Sequence, residues 1–343
     1  MNIAWDHWHI EVSSICTLKC PRCPRAEVPE SLLNTSLNLD FFQNNISANV
    51  VRHMKKITFC GNDGDPIYCK SFLEICAWLK SVNPSLQLVI VTNGSYKSAE
   101  WWDSLGSTLN EHDEIHWSID GWDQKSNEQY RVNCDWNSIV EGILAFRQAN
   151  QTSYRLWASI AFAFNENHLQ RLQDLAKLWQ FDAFQLTKST KFSLKYPEIY
   201  NSQDNLQPKN KDLIALGDRF QREVVELSDK VRPGSDLKQM YKNRAKNLIT
   251  STKAFGLCHI GAKGVFLNSR GEFYPCCWVA TRYEHNQQWQ TLAKNKFNLY
   301  HNSVESVVND QFWQTEFMKF DTLECRTKCT KNKLTDLEYV SEW

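Results

Sequence analysis

The sequence predicts an α/β fold: six short strands alternating with five helices, curled by right-handed crossovers into a parallel sheet or partial barrel, with a small C-terminal domain appended. Three observations carry this. β-Branched and aromatic runs recur at residues 8–14, 56–61, 86–92, 114–120, 154–164 and 183–188. Amphipathic helical patterns fill the intervals at residues 40–53, 70–82, 98–109, 137–150 and 168–179. Beyond residue 255 the rhythm changes to two short runs, 264–267 and 272–275, joined by Asn268-Ser269-Arg270-Gly271, whose Asn, Ser and Gly predict a hairpin turn. In parallel sheets of this kind the chemistry gathers at the C-terminal ends of the strands.

At 343 residues the chain exceeds one average domain. The expected division is a main domain at 1–189, a helical bridge at 190–254 and a C-terminal domain at 255–343. The bridge is polar, rich in Asn, Asp and Lys, with helices expected at 211–227 and 236–248. Lys238, Lys242, Arg244 and Lys246 on the second of these read as a solvated face. Lys and Arg number 39, as do Asp and Glu, so no global field draws the protein to nucleic acid or an anionic membrane. No basic segment leading into an apolar one opens the chain, and no apolar run approaches the roughly 18 residues of a membrane span, so a cytoplasmic protein is expected. Twelve cysteines in a reducing compartment are better read as metal ligands where they cluster than as disulfides.

Cys16, Cys20 and Cys23 come directly after the first strand, three and two residues apart. Three thiolates on one short loop hold three irons of a [4Fe-4S] cube and leave the fourth open to a small chelating molecule. A zinc site, or unrelated buried cysteines, are the other readings of the spacing. After the second strand comes Gly61-Asn62-Asp63-Gly64-Asp65-Pro66. Its glycines let backbone approach a ligand, and its carbonyls and carboxylates suit an ammonium group; an ordinary strand-to-helix turn has the same composition. Strands three and four end in Thr92-Asn93-Gly94 and Ser118-Ile119-Asp120-Gly121, and Ser118 and Asp120, two apart, share a face. A second set, Cys258, Cys276, Cys325 and Cys329, has 17, 48 and three residues between successive members, and four thiolates suit either zinc or a cluster. Cys60, Cys69, Cys76 and Cys134 match no motif and read as small buried hydrophobes, and His7 with His9 as packing or surface residues.

The Cys16/Cys20/Cys23 loop and the later motifs, in their order along the chain, resemble the radical S-adenosylmethionine (SAM) superfamily. The resemblance covers residues 8–189 and 255–330. It implies a partial (β/α)6 barrel whose first cluster binds the amino and carboxylate groups of SAM through its open iron. Arg22 stands where the family usually has an aromatic residue near adenine. Asp63-Gly64-Asp65-Pro66 matches the family's Gly-Gly-Glu-Pro element, so Asp63, Gly64 and Asp65 are expected at the SAM ammonium. Asn93, Ser118 and Asp120 are expected at the ribose and carboxylate, Asn165 at the ribose or adenine, and Arg131 at SAM or substrate. The C-terminal segment resembles the Twitch domain, a shortened SPASM extension that binds one auxiliary [4Fe-4S] cluster through Cys258, Cys276, Cys325 and Cys329. Adjacent Cys277 is the ligand or a spare.

Together these imply two [4Fe-4S] clusters and SAM as cofactors, and an electron donor such as flavodoxin or ferredoxin. The reaction implied is reductive cleavage of SAM to a 5'-deoxyadenosyl radical, which abstracts hydrogen from substrate. A two-electron oxidation of a small molecule, similar to the Twitch enzyme that oxidises an amino-cyclitol alcohol, is one expectation; a peptide-maturing enzyme is the other. Peptide maturases often carry a leader-binding domain before the barrel, and here the first strand begins by about residue 8, which favours the small substrate. From a different class comes a zinc-binding interaction module.

Overall fold

A computed structural model describes residues 5–30, 32–189, 205–215, 221–234, 236 and 264–316. In chain order it runs β1 (His7–Ile10), α1 (Pro24–Glu27), α2 (Leu39–Phe41), α3 (Ser47–His53), β2 (Lys56–Phe59), α4 (Phe72–Val82), β3 (Gln87–Thr92), α5 (Ala99–Thr108), β4 (Glu114–Ser118), α6 (Gln124–Asn127), α7 (Trp136–Ala149), β5 (Tyr154–Ile160), α8 (Leu169–Leu178), β6 (Ala183–Lys188), β7 (Gln221–Glu226), β8 (Val265–Leu267) and β9 (Phe273–Tyr274). The six predicted strands and four of the five helices predicted between them form within a few residues of their expected limits, which are the least legible part of any element; the helix expected at 40–53 is broken. Among the described residues no helix is long and apolar enough to cross a membrane.

The chain divides into two compact units. The first comprises Met1–Ile15, Glu30–Ile90 and Gly234–Trp343. Its strand order is β3-β2-β1-β8-β9; β1 pairs in parallel with both β2 and β8, β2 with β3, and β8 turns back antiparallel into β9. Trp8 packs on Phe273 at 5.3 Å and Phe59 on Phe72 of α4 at 5.2 Å, which fixes one apolar face of the sheet. Alternation then puts His7, His9 and Glu11 on the other face, where His9 meets Phe266 edge-on at 5.0 Å. α4 buries Phe72, Ile75, Cys76 and Leu79, the i, i+3, i+4, i+7 stripe that predicted it.

The second unit comprises Cys16–Pro29 and Val91–Pro233. β4, β5 and β6 run parallel, and β7 closes the edge antiparallel to β6. Ser98 and Asp135 cap α5 and α7 through side-chain oxygens that accept from Trp101 N and Ser138 N. α7 buries Ile139, Gly142, Ile143 and Phe146. Gly142 is needed because a Cβ there would lie 2.3 Å from Nε1 of Trp102, whose ring meets Trp117 at a tilt with centroids 4.3 Å apart.

Two expectations about the chain's course are corrected. The helix expected at 211–227 is not formed: Lys211–Leu213 is a single 3-10 turn and Gln221–Glu226 is strand β7. Its register, from Ala183↔Glu226 to Lys188↔Gln221, shows why: the exposed edge of β6 offers a full ladder of backbone partners, and tertiary pairing overrides local propensity. The helix expected at 40–53 is interrupted by a π turn at Phe42–Ile46, which ends with Ser47 at φ 68°, while Asn45 Nδ2 donates to Leu299 O at 2.7 Å. The helix expected at 236–248 lies outside the described residues except for Asp236. The hairpin forms as expected, with Gly271 at φ 73° in its turn and Asn268 Oδ1 accepting from Arg270 N and Glu272 N. It extends the sheet of the first unit alongside β1.

Candidate functional site

In the second unit the cysteine loop is laced to the segment after α6. Lys19 N donates to Val132 O at 2.9 Å and Asn133 Nδ2 to Thr17 O at 2.9 Å. Cys23 N bonds to Cys20 O at 3.1 Å, and Cys23 then opens α1, with Pro24 at a position where no N–H is wanted. Cys20 is buried, Cys16 and Cys23 partly so.

Polar side chains from the strand ends converge on this loop. Asn93, just past β3, donates from Nδ2 toward Cys16 Sγ at 3.7 Å and accepts from Ser95 N through Oδ1. The next residue, Gly94, has φ 76° and backs onto the Trp117 ring, where a Cβ would sit 2.5 Å away. Beyond β4, Asp120 is fully buried and receives Arg131 Nε at 2.6 Å on one oxygen and Ile160 N at 2.7 Å on the other. Asn165 bridges the same loops: Nδ2 donates to Asp120 O and Ile160 O, while Oδ1 accepts from Phe162 N. Its amide is thus engaged in holding backbone. Ser118 ends β4, half-buried.

The electrostatics of this cluster are set by burial. Desolvation pushes the Cys20 thiol up to about 11, against the field of Arg131 and with that of Cys23. Burial alone lowers the Arg131 guanidinium pKa, but Asp120 and Cys20 outweigh it and hold the group charged. Tyr130, whose ring meets Phe162 at 4.3 Å and underlies the Arg131 guanidinium at 5.3 Å, is held well above its ordinary value by burial, then by Cys20. Tyr130 was not among the sequence candidates, although it is the immediate neighbour of Arg131. Asn127 was missed too: its Oδ1 accepts from Asp120 N and Gly121 N, which fixes the turn after β4.

The first unit holds the other motif. Asp65 caps a 3-10 turn, Pro66–Tyr68, by accepting from Ile67 N, and its own N–H bonds to Ile15 O at 3.0 Å. Gly64 lies against the backbone of Ser13 and Ser14, where a Cβ would be 2.1 Å from Ser13 O. Asp63 is buried and paired with Arg282, whose Nε reaches both carboxylate oxygens at 2.9 Å. Asp63 N donates to Glu11 Oε2 at 2.7 Å. Burial, then the Asp63 charge, push the Glu11 carboxyl up to about 8. His9 is pulled down to about 4 by burial, so as a neutral ring it donates from Nε2 to Cys60 O at 2.6 Å. Cys276 and Cys277 come after β9, partly buried; Cys258, Cys325 and Cys329 lie outside the described residues. Among the described residues no three His, Cys, Asp or Glu side chains are gathered around the position of a single metal ion.

The sequence matches no family model and no curated protein. The fold, however, is similar to the α/β fold with a parallel sheet core of solved radical SAM enzymes, as the sequence resemblance implied. Streptococcus suis SuiB bound to S-adenosylmethionine superposes with a TM-score of 0.58 at 12% identity, covering 92% of this chain and 68% of that one. SuiB bound to its precursor peptide SuiA gives 0.55 at 12% identity, covering 93% and 68%. Native anSMEcpe with bound AdoMet and the Cp18Cys peptide gives 0.53 at 13% identity, covering 93% and 85%. At these identities the likeness is one of fold.

Proposed function

We propose that the chain is a radical SAM enzyme that cleaves S-adenosylmethionine reductively and abstracts hydrogen from a substrate. The observation that carries the reading is the loop of Cys16, Cys20 and Cys23, met in one unit by Asn93 at the Cys16 sulfur and by the Asp120–Arg131 pair beside Cys20. The donor set fits a [4Fe-4S] cluster: three soft thiolates on one short loop each take one iron, and an amide and a guanidinium stand where sulfur charge needs donors. When bound there, the cluster supplies one electron for cleavage of SAM to methionine and a 5'-deoxyadenosyl radical. Asp120 holds the guanidinium of Arg131 in place and keeps it charged. Asn127 fixes the loop that carries Asp120 and Asn165 ties it to the end of β5, so neither needs to touch SAM to matter. Residues 63–65 are the proposed contact for the SAM ammonium, through backbone and the Asp65 carboxylate, with Asp63 held by Arg282 and Gly64 packed on Ser13 and Ser14 to set the loop. Cys258, Cys276, Cys325 and Cys329 are the proposed ligands of a second cluster, in which four thiolates leave no iron for substrate.

For the substrate we propose a small molecule undergoing two-electron oxidation, with one SAM consumed per product and substrate deuterium appearing in deoxyadenosine. A peptide substrate is the second reading; structural neighbours solved with the SuiA and Cp18Cys peptides favour it. Protein purified without oxygen separates both from a zinc module. A brown sample absorbing at about 400 nm supports iron-sulfur ligation, and a colourless zinc-loaded one overturns it. Incubating reduced enzyme with SAM and either metabolite fractions or peptides, then measuring deoxyadenosine by mass spectrometry, separates the two substrate classes.

A further inference from the structure

Within the first unit, the segment after β9 is fastened to the loop after β2 at two points. Asn62 Nδ2 donates to Cys277 O at 2.8 Å, and Arg282 Nε, from a buried side chain, is shared between both oxygens of Asp63 at 2.9 Å. On its other side the same loop is fixed to the residues leading into the cysteine loop. Glu11 Oε2 accepts from Asp63 N at 2.7 Å, Gly64 lies against Ser13 and Ser14, and Asp65 N bonds to Ile15 O, one residue before Cys16. Residues 62–65 therefore form a splint, with the Cys276–Cys277 segment at one end and the approach to Cys16 at the other. The carboxylate of Asp63, taken from sequence as a ligand group, faces a protein cation.

We infer that Arg282 is a positioning residue for SAM binding: through Asp63 it sets the conformation of residues 62–65, and so makes SAM affinity depend on the segment carrying Cys276 and Cys277. The inference rests on the reading that residues 63–65 face SAM. A buried charged pair that loses one partner leaves the other unsatisfied, and a hydrogen bond to a charged group contributes about 1.5–3 kcal/mol, equivalent to roughly ten- to hundredfold in an equilibrium. A direct ligand and a positioning pair differ in how their substitutions combine: groups acting through one another are non-additive.

The test is a cycle of Asp63→Asn, Arg282→Gln and the double variant in anaerobically reconstituted holoenzyme, with SAM affinity measured by equilibrium dialysis. Arg282→Gln is expected to weaken SAM binding about tenfold or more, the double variant to bind no more weakly than the weaker single, and Arg282→Lys to recover part of the loss. Wild-type affinity in Arg282→Gln, or effects that multiply in the double variant, would overturn the inference. Hydrogen exchange of residues 61–66 without SAM gives a readout independent of the proposed activity. Faster exchange there in Arg282→Gln than in wild type supports the splint, and unchanged exchange overturns it. Wild-type protein that binds no SAM sinks the proposed function and the role of Arg282 in SAM binding with it, and the exchange result then decides only whether Arg282 fixes residues 62–65.

Discussion

Each unit of the molecule contains an Arg–Asp pair with a buried carboxylate on a loop beyond a strand, and the two pairs differ in how they are made. Arg131 and Asp120, 2.6 Å apart, lie 11 residues from one another and tie the end of β4 to the segment that holds the cysteine loop. Arg282 and Asp63, 2.9 Å apart, are separated by 219 residues and join a loop of the parallel sheet to the segment after the hairpin. The first pair is a local device: both members sit in one βα connection, and a short closure brings them together. The second exists only because β8 pairs with β1, which carries the hairpin and the segment beyond it to the loop after β2. In the proposed function one pair supports the binding of metal, the other the shape of a ligand loop.

Breaking the local pair is expected to have the largest effect on stability. Asp120→Ala leaves the half-buried Arg131 guanidinium without its carboxylate and removes the acceptor of Ile160 N, at a cost of about 3 kcal/mol, read as a fall in the urea midpoint. An intact midpoint would show that the pair contributes nothing to stability. A smaller effect is expected at the splint, where Gly64→Ala drives a Cβ to 2.1 Å from Ser13 O. We expect a loss of about 1–3 kcal/mol, with hydrogen exchange in residues 61–66 raised and that around Asp120 unchanged. Accelerated exchange in both regions would show that the two loops are not separate cooperative elements.

The smallest effect is a pH slope. Glu11 is raised from about 4.5 to about 8, so between those values the unfolded chain gives up a proton the folded one retains, and stability falls as pH rises through the window. His9 acts in the opposite sense: lowered from about 6.5 to about 4, it makes stability fall as pH drops through that range. Their windows overlap below about pH 6.5, so the Glu11 slope stands clear of His9 only between about 6.5 and 8. There it amounts to about 2 kcal/mol at roughly 1.4 kcal/mol per pH unit. Denaturant titrations at pH 6.5 and 8 should show that slope in wild type and its loss in Glu11→Gln; a slope that survives the substitution would assign it elsewhere.

The contrast between the pairs also marks what the sequence made legible. Asp120 and Asn165 were expected at the ligand because each follows a strand whose pattern is strong and local, and Arg131 because the resemblance implies an arginine after the fourth strand. The structure gives Asp120 and Asn165 a supporting place, engaged with backbone and with Arg131. Arg282 had no such signal: neither spacing nor periodicity relates it to Asp63, and only the pairing of β8 with β1 does. Glu11 was visible in principle, since His7, His9 and Glu11 alternate with Trp8 and Ile10 in a strand buried on both faces, yet polar residues there read as packing. Strand β7 was missed for a related reason. Residues 221–226 have no strong alternation of their own, and the edge of β6 decides their conformation.

The central claim, that Cys16, Cys20 and Cys23 hold the cluster that cleaves SAM, is tested most directly by deoxyadenosine release. Wild-type protein, anaerobically reconstituted and reduced, should release deoxyadenosine from SAM. The Cys16→Ala, Cys20→Ala, Cys23→Ala triple variant, shown to be folded by circular dichroism, should release none and lose about one cluster's iron. Release that persists in the folded triple variant would contradict the assignment.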